Sequence, residues 1–277
     1  MTKVVWLASY PKSGNTWMRT FLWAIQNKGP INLNRLSTGG IFSGKNIVEN
    51  SLDINPDYFY PHELEELQRK AYLYHFDSLK DQRIVKVHDA YTYSKWDGKP
   101  LIPLNSDHLV IYIVRNPVDV VPSFANHGST DYETIINKQI NNFNGGLVKS
   151  SIWASQFYQP MGSWSMHVES WINQKIAPVL LVRYEDMKHR TFDVFKEVIT
   201  AMGLTYSDQE IQHAIDRTSF DVIKKLEEEQ GFREKPNPEG TFFLHGKVGK
   251  GKEVLTDEQI QRIRITHERV MKQLNYW

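Results

Sequence analysis

The stretch Tyr10-Pro-Lys-Ser-Gly-Asn-Thr-Trp17 has the residue types of a loop that binds phosphate. It lies between an apolar run and a helix-compatible segment, and the N–H groups at a helix start can bind an anion. In a Walker-type loop, G-x-x-x-x-G-K-[ST], the lysine follows the second glycine. Aligned on Gly14, this chain has Asn15 in place of that lysine and keeps the hydroxyl position with Thr16. Its lysine, Lys12, stands two residues before Gly14. We predict an anion-binding loop, with a plain strand-to-helix turn as the alternative.

Basic side chains also stand where later apolar runs end. Lys86 and His88 close one run, and Arg115 closes another. Ligands of open parallel sheets bind beyond the carboxyl ends of the strands, so we expect these three residues and Lys12 to meet at one crevice. A crevice with that charge suits a multiply anionic ligand. The displaced lysine and the lack of an acidic strand end for Mg²⁺ argue against an ordinary kinase. A Mg²⁺-dependent P-loop nucleotide or small-molecule kinase stays an alternative, as does a nucleotide-binding module without catalysis.

The elements that must position these residues alternate between strands and helices. This pattern predicts one α/β domain over residues 1–277, with a central, mostly parallel sheet flanked by helices, like that of P-loop nucleotide kinases. Capping boxes begin two later helices, at Ser207 and Thr256, and Gly203 ends a third. The predicted strands are Val4–Ser9, Ile84–His88, Leu109–Arg115 and Pro178–Tyr184, and the first helix is Thr16–Asn27.

Two long segments fit this pattern poorly, at about 29–81 and 126–164. They are rich in aromatic residues and, in the second, also in Asn, Gly and Ser. Long irregular segments in compact domains often form functional lids or walls. We expect them to form one side of the crevice, with a plain surface excursion as the alternative for each.

The composition is that of a globular protein with a sizeable core. Of the 277 residues 40% are hydrophobic and 23% are charged, and the net charge of +1 favours neither nucleic acid nor an anionic membrane. No run approaches the roughly 20 apolar residues of a membrane-spanning helix. The lack of cysteine excludes disulfides, thiolate metal sites and a cysteine nucleophile. We predict a cytoplasmic protein without nucleic-acid or membrane partners.

Several motifs, in the same order along most of the chain, resemble those of one known family. These are the cytosolic-type sulfotransferases, which use 3′-phosphoadenosine 5′-phosphosulfate. The loop Tyr10–Trp17 looks like their 5′-phosphosulfate loop, and Arg115–Asp119 followed by Ser123 looks like their 3′-phosphate motif. The opening stretch looks closer to the bacterial small-molecule and glycopeptide branch than to the Golgi enzymes. Further matches are Gly162–Trp164, His167–Val168, Trp171, Arg183–Lys188 and Thr218–Phe220.

The resemblance implies how the donor nucleotide is bound. Lys12 would hold oxygens of the phosphosulfate and stabilise charge on the leaving phosphate. Arg115 offers a planar fork of donors for the 3′-phosphate, and Ser123 adds a hydroxyl. The 5′-phosphate would be bound at the helix N-terminus by Ser13, Gly14, Asn15, Thr16 and Trp17.

The resemblance also implies a proton acceptor at the end of a strand. Transfer of a sulfuryl group to a hydroxyl requires removal of the hydroxyl proton, and histidine titrates in a suitable range. The family places Lys-x-His at a strand end, and Lys86-Val-His88 matches it. His88 is therefore the predicted base, and Lys86 would neutralise charge on the sulfuryl oxygens. We expect direct in-line transfer without a metal ion or a covalent intermediate.

The remaining donor contacts implied by the resemblance come from less distinctive residues. Tyr184, Thr218 and Phe220 stand where the family contacts the nucleoside, although each is an equally natural core residue.

The family closes its donor site with Arg-Lys-Gly at the start of a glycine-rich loop. This chain has Leu244, His245 and Gly246 there, so two charges are missing from their usual places. Lys247 and Lys250 are candidates to supply them, and the alternatives are a loop that becomes ordered only on binding and a plain mobile turn.

The acceptor side of the crevice is the least determined by the sequence. Asp89 follows His88 where the family often has leucine, and it could orient His88 or point to solvent. We expect a hydroxyl of a small-molecule or glycosylated acceptor. The protein could be a monomer or a homodimer. Aromatic residues that could line an apolar pocket, or belong to the core, are Tyr58, Phe59, Tyr60, Trp153, Phe157 and Tyr158.

Overall fold

The central feature of the fold is a sheet of four parallel strands. In a computed structural model, which describes residues 4–36, 41–147, 155–235, 239–244 and 246–277, the sheet has the order β2-β1-β3-β6. The predicted α/β fold with a parallel central sheet flanked by helices is confirmed. The four strands are β1 (Val4–Ser9), β2 (Arg83–Val87), β3 (Leu109–Val114) and β6 (Val179–Arg183), and a separate antiparallel pair joins β4 (Gly146–Leu147) to β5 (Gln159–Pro160).

The strand order places the switch of chain direction between β1 and β3. From β1 the chain crosses to β2 on one side, and the next strands, β3 and β6, lie on the other side. A ligand crevice is expected outside the carboxyl ends of the strands at such a point. The phosphate loop follows β1 and Arg115 follows β3, so the topology brings both to this crevice.

The central strands β1 and β3 are buried on both faces, and successive side chains point to opposite sides of the sheet. Trp6 and Tyr112 pack into one core with helices α4, α6 and α12, whereas Leu7 and Ile111 pack into the other core with α1, α8 and α9. The helices of the described chain are α1 (Asn15–Gln26), α2 (Asn46–Leu52), α3 (Pro61–Asp77), α4 (Pro117–Gly128), α5 (Tyr132–Ile135), α6 (Trp164–Ile172), α7 (Tyr184–His189), α8 (Thr191–Ala201), α9 (Asp208–Arg217), α10 (Phe220–Gln230), α11 (Lys250–Val254) and α12 (Asp257–Gln273).

The helix-start signals in the sequence correspond to observed caps. The capping boxes of Ser207 and Thr256 form at the N-termini of α9 and α12, and Gly203, with φ of 71°, follows α8. The segment 29–81 contains α2 and α3, and 126–164 contains α5 and the β4–β5 pair. No helix in the described ranges is long and apolar enough to cross a membrane.

Candidate functional site

Gly14 of the phosphate loop directly precedes helix α1. Gly14 has φ of 105°, a conformation that side chains of L-residues rarely adopt, and a Cβ there would lie 2.7 Å from Cδ2 of Tyr184. Asn15 begins the helix, and its Nδ2 donates to Leu7 O at 3.1 Å and to Ser9 Oγ at 3.2 Å. The glycine therefore allows a close approach between the loop and α7, while Asn15 fixes the loop to the end of β1.

Lys12 belongs to the same loop, and its ammonium group forms no salt bridge with a carboxylate of the described residues. Its backbone is in the left-handed region, with φ of 69°, and its Nζ lies 3.5 Å from the centre of the Phe242 ring. Burial, followed by the charges of Lys86 and Arg115, lowers the pKa of Lys12 to about 7. Because a nearby anion favours the charged form, an anion bound here would raise the pKa of this lysine again.

Arg115 joins the phosphate loop to the glycine-rich loop. Its Nη1 donates to Lys12 O at 3.1 Å and its Nη2 donates to Lys247 O at 3.0 Å. The guanidinium also stacks on the Tyr184 ring at 4.4 Å, and the residue is only 6% exposed. Arg115 therefore holds backbone on both sides of the cavity with two of its five N–H donors, and its Nε has no hydrogen-bond partner among the described residues.

Asp119 holds the glycine-rich loop against α4. Its carboxylate accepts the N–H groups of Gly249 and Gly251, each at 2.7 Å. A Cβ on Gly251 would lie 2.1 Å from the carbonyl oxygen of Val118, so only glycine allows this approach. The sequence places Asp119 inside the 3′-phosphate motif but does not reveal this loop-fixing contact.

His88 is the first residue beyond β2, and its ring is oriented by the end of β1. Nδ1 lies 2.8 Å from Ser9 O, and this contact assigns the Nδ1–H tautomer, with Nε2 as the free acceptor. Burial, then the charge of Lys86, lowers the pKa of His88 well below its ordinary value, while the Ser9 contact acts in the opposite direction. The imidazole is thus neutral at neutral pH, which is the form that can accept a proton.

Asp89 neither points to solvent nor forms a hydrogen bond to His88 in the described structure. It is 4% exposed, and its Oδ2 lacks a hydrogen-bond partner among the described residues. Burial raises the pKa of Asp89 to about 8. Ser9, and not Asp89, therefore orients the His88 ring.

Glu234 is the functional candidate that the sequence did not reveal. Its carboxylate accepts two hydrogen bonds from Arg19, at 2.9 and 2.8 Å, and one from Lys86 at 3.0 Å. Burial by itself raises the pKa of Glu234, but Lys86 and Arg19 outweigh it and leave the pKa below its ordinary value. The sequence gives only an indirect signal for this carboxylate. Arg19 on α1 and Lys86 on β2 are basic residues, and buried charges are normally paired.

One cavity of about 1400 Å³ collects most of the predicted residues. Small-molecule pockets commonly measure about 300–1,000 Å³, so this volume can hold two substrates. Predicted residues that line it are Lys12, Gly14, Asn15, Thr16, Trp17, Lys86, His88, Arg115, Ser123, Tyr184, Phe220 and Gly246.

Three predicted residues lie away from the cavity lining. Ser13 is fully buried in the loop. Thr218 is fully buried, and its hydroxyl donates to Ala214 O at 2.8 Å. Lys247 is exposed and contributes its backbone carbonyl to Arg115. His245 lies outside the described residues.

The aromatic residues proposed for an apolar acceptor wall do not line the cavity where they are described. Tyr58 is 84% exposed, Tyr60 is 71% exposed and Tyr158 is 50% exposed, so these side chains face outwards. Trp153 lies outside the described residues. The lining from this side is mostly polar instead, with Lys45, Asn46, Glu49, Asp57, Gln156 and Gln159.

No group of three or more His, Cys, Asp or Glu that could hold a metal ion is found in the described ranges. Transfer without a metal ion stays a prediction.

Comparisons with known proteins agree with the motifs. The sulfotransferase domain family matches residues 2–275 of the chain. Sulfotransferase 2A6 from Rattus norvegicus is 27% identical over 260 residues, which cover 92% of this chain and 80% of the rat protein. Cytosolic sulfotransferase 16 from Arabidopsis thaliana is 24% identical and covers 93% of this chain and 72% of its own.

Solved structures show the same fold. Mouse sulfotransferase SULT7A1, crystallised in a complex with PAP, has a TM-score of 0.58 at 20% identity and covers 98% of this chain and 85% of its own. Retinol dehydratase, in a complex with retinol and PAP, has a TM-score of 0.63 at 17% identity and covers 98% and 82%. The family match decides against the kinase that the loop alone left possible, and the predicted sulfotransferase is confirmed at the level of the family. The chain belongs to the sulfotransferase domain family.

Proposed function

We propose that the protein transfers a sulfuryl group from 3′-phosphoadenosine 5′-phosphosulfate to a hydroxyl of a small-molecule or glycosylated acceptor. The observation that carries the proposal is the convergence of Lys12, Lys86, His88 and Arg115 on one cavity at the carboxyl edge of the sheet. Family membership, and the PAP in the mouse relative's structure, support this donor.

Unsatisfied polar atoms around the loop fit an anionic nucleotide. Arg115, which lines the cavity, has a buried Nε without a hydrogen-bond partner among the described residues, and the same holds for Oδ1 of Asn15 at the start of α1. Buried polar groups are normally paired, so such atoms in a binding site indicate contacts that a ligand completes. The backbone at the start of α1 would bind the 5′-phosphate, as helix N-termini bind anions.

His88 is proposed as the general base. Its Nε2 accepts the proton of the acceptor hydroxyl while the hydroxyl oxygen bonds to sulfur and the bond from sulfur to the bridging phosphate oxygen breaks. Ser9 O, which holds the Nδ1–H, stabilises the imidazolium that forms. Lys86 faces the sulfuryl oxygens and Lys12 the leaving phosphate, so that each cation stabilises charge where it grows.

The test compares two histidines of the same cavity, His88 and His127. Purified wild-type, His88→Gln and His127→Gln proteins are assayed with labelled donor, and binding of adenosine 3′,5′-bisphosphate is measured by calorimetry. Loss of a general base lowers kcat by about 10²–10⁴-fold. We expect this loss for His88→Gln, with product affinity nearly unchanged, and a kcat near wild type for His127→Gln. Wild-type protein that binds no bisphosphate, or a fully active His88→Gln variant, would refute the donor or the base, respectively.

Three finer statements stay predictions within this proposal. They are the bacterial small-molecule and glycopeptide branch, the cytoplasmic location and the extent of one domain over residues 1–277. The Arabidopsis relative carries the word cytosolic in its name, which supports the location. Monomer and homodimer both stay open.

A further inference from the structure

The side of the cavity that takes no part in the proposed donor contacts comes from the segments 41–57 and 147–159. We call the described residues of these two segments that line the cavity the acceptor wall. Its apolar side chains are Ile41 and Leu147. Six of its residues carry a charge or an amide, namely Lys45, Asn46, Glu49, Asp57, Gln156 and Gln159.

The first part of the acceptor wall lies beside the proposed reacting residues. Phe42 N–H donates to Lys86 O at 2.7 Å, and Ile41 forms a parallel bridge with the same residue. Lys86 is the last but one residue of β2, and His88 follows that strand. The chain around Ile41 therefore extends the sheet edge directly at Lys86 and His88.

The second part is fixed to the first and to the turn beyond His88. Phe157 N–H donates to Ser43 O at 2.7 Å, and Ala90 N–H donates to Pro160 O at 2.7 Å. These contacts are backbone hydrogen bonds, so they hold the wall in place independently of its side chains. The polar side chains of the wall are thus presented next to the place where an acceptor hydroxyl would react.

Gln159 has hydrogen-bonding capacity that the protein leaves unused. The residue is 2% exposed, and its Nε2 donates to Gln156 Oε1 at 3.0 Å, the contact from which the amide orientation is assigned. Its Oε1 has no hydrogen-bond partner among the described residues. Buried polar atoms are normally paired, so a donor on a ligand in the cavity is the partner that this oxygen lacks.

Two carboxylates of the wall are further acceptors for hydroxyl groups. Asp57 pairs with Lys45, and its side chain stays 37% exposed. An ionised carboxylate can accept about four hydrogen bonds, so Asp57 can accept from a ligand while it pairs with Lys45. Glu49 on α2 is exposed and also lines the cavity. With two carboxylates against one lysine, the wall disfavours an anionic acceptor.

These side chains would oppose an apolar acceptor. A phenol or a sterol pressed against the wall would remove water from its polar groups and return few hydrogen bonds. Each polar group that is left unpaired costs about 1–3 kcal/mol. A site that hydrogen-bonds substrate hydroxyls rejects analogues without them strongly, whereas an apolar pocket discriminates weakly.

Resting on the proposed function, we propose that the acceptor is a neutral carbohydrate, whose sugar hydroxyls donate to the acceptor wall. One sugar hydroxyl loses its proton to Nε2 of His88 as its oxygen bonds to sulfur, and adenosine 3′,5′-bisphosphate leaves. Neighbouring hydroxyls donate to Gln159 and to the carboxylate of Asp57. The wall thereby selects a sugar hydroxyl over the hydroxyl of an apolar phenol or sterol.

The first test compares acceptors that share a phenyl group. Phenol carries its hydroxyl on the aromatic ring, whereas the phenyl β-glycosides of glucose, galactose, mannose and N-acetylglucosamine carry hydroxyls on the sugar alone. Transfer from labelled donor is measured for each with the wild-type protein. We expect the best glycoside to exceed phenol in kcat/KM by about 10²-fold or more.

The second test removes the hydrogen-bonding amide of Gln159. Gln159→Met keeps the length of the side chain, and it should lower kcat/KM for the best glycoside about tenfold, as for the loss of one hydrogen bond. Its activity with phenol and its affinity for adenosine 3′,5′-bisphosphate should not change. Gln212→Met is the control, because Gln212 is an exposed glutamine on α9, and it should match wild type with every substrate.

The outcomes separate this proposal from the proposed function. A preference for phenol, or no transfer to any glycoside by a protein that binds the bisphosphate, would refute the carbohydrate acceptor and leave the donor intact. Wild-type protein that binds no bisphosphate would refute the donor itself. Gln159→Met protein that loses both acceptors and the bisphosphate alike would assign Gln159 a structural role, and the wild-type comparison of acceptors would then decide.

Discussion

The phosphate loop and the described parts of the segment 231–244, residues 231–235 and 239–244, line the same cavity but contribute opposite features. The loop is a contiguous stretch directly after β1, and we propose that its backbone N–H groups and Lys12 bind an anion. The segment 231–244 comes from the other end of the chain and brings a carboxylate, Glu234, to Lys86 and Arg19. The loop is thus the region proposed to bind an anion, whereas the segment 231–244 contributes a carboxylate of the protein itself.

The segment 231–244 also positions the side chain of Lys12. Glu227 on α10 accepts the N–H groups of Phe242 and Phe243, at 2.6 and 2.8 Å, and Phe242 in turn carries the Lys12 ammonium group on its ring. Such contacts place the side chains of a binding site before the ligand arrives. Without a ligand, the two lysines of this site are therefore stabilised in different ways. Lys12 lies on the aromatic ring of Phe242, and Lys86 pairs with the carboxylate of Glu234.

The largest expected effect comes from the loop. Lys12→Met should lower kcat by about 10²–10³-fold, because the charge that develops on the leaving phosphate loses a positioned cation. The measurement is the rate of transfer from labelled donor at saturating substrate. Lys196→Met, at an exposed ion pair with Asp208, is the control and should keep the wild-type rate. A kcat within threefold of wild type for Lys12→Met would show that the loop lysine does not act in the transfer.

For the segment 231–244 we expect an effect on the free energy of unfolding. Glu234→Ala leaves Arg19 and Lys86 buried without a counter-charge, and removal of one partner of a buried ion pair costs about 3–5 kcal/mol in free energy of unfolding. We expect a loss of about 3 kcal/mol, measured by urea unfolding, because Glu234 is partly exposed. Glu268→Ala, at an exposed pair with Lys272, should change stability by less than about 1 kcal/mol.

The pH dependence of this loss follows from the lowered pKa of Glu234. An unfolded glutamate titrates near pH 4.3, so the stabilisation by the ion pairs is fully present above that pH and decreases as the pH falls further. The difference between wild type and Glu234→Ala should therefore be largest above about pH 5 and should shrink towards pH 3. A difference that is absent at neutral pH would mean that Glu234 is not the counter-charge of Arg19 and Lys86.

The same comparison explains which parts could be predicted from sequence. The loop, the strand ends and the helix caps depend on neighbours within a few residues, so residue type and spacing predict them well. Glu234 reaches Lys86 across 148 positions of the chain and Arg19 across 215, and no local pattern encodes such contacts. The outward position of Tyr58 also escaped prediction, because composition alone does not tell an apolar wall from an exposed surface.

The smallest expected effect concerns a second buried carboxyl group, Asp89. Unlike Glu234 it has an oxygen without a hydrogen-bond partner among the described residues, and burial raises its pKa to about 8. An unfolded aspartate ionises near pH 3.9, so the folded state loses stability as the pH rises from there towards 8. Asp89→Asn removes the ionisation and should raise the free energy of unfolding by about 1–2 kcal/mol at pH 7, with little change at pH 4.

Thermal or urea unfolding of wild type and Asp89→Asn at several pH values between 4 and 8 measures this effect. The two carboxyl groups should then give opposite trends. Replacing Glu234 costs most at neutral pH, where its ion pairs are intact, whereas replacing Asp89 helps most there, because burial penalises only its charged form. If Asp89→Asn raised the free energy of unfolding by the same amount at every pH, packing or hydrogen bonding would explain the gain, and not the charge of Asp89.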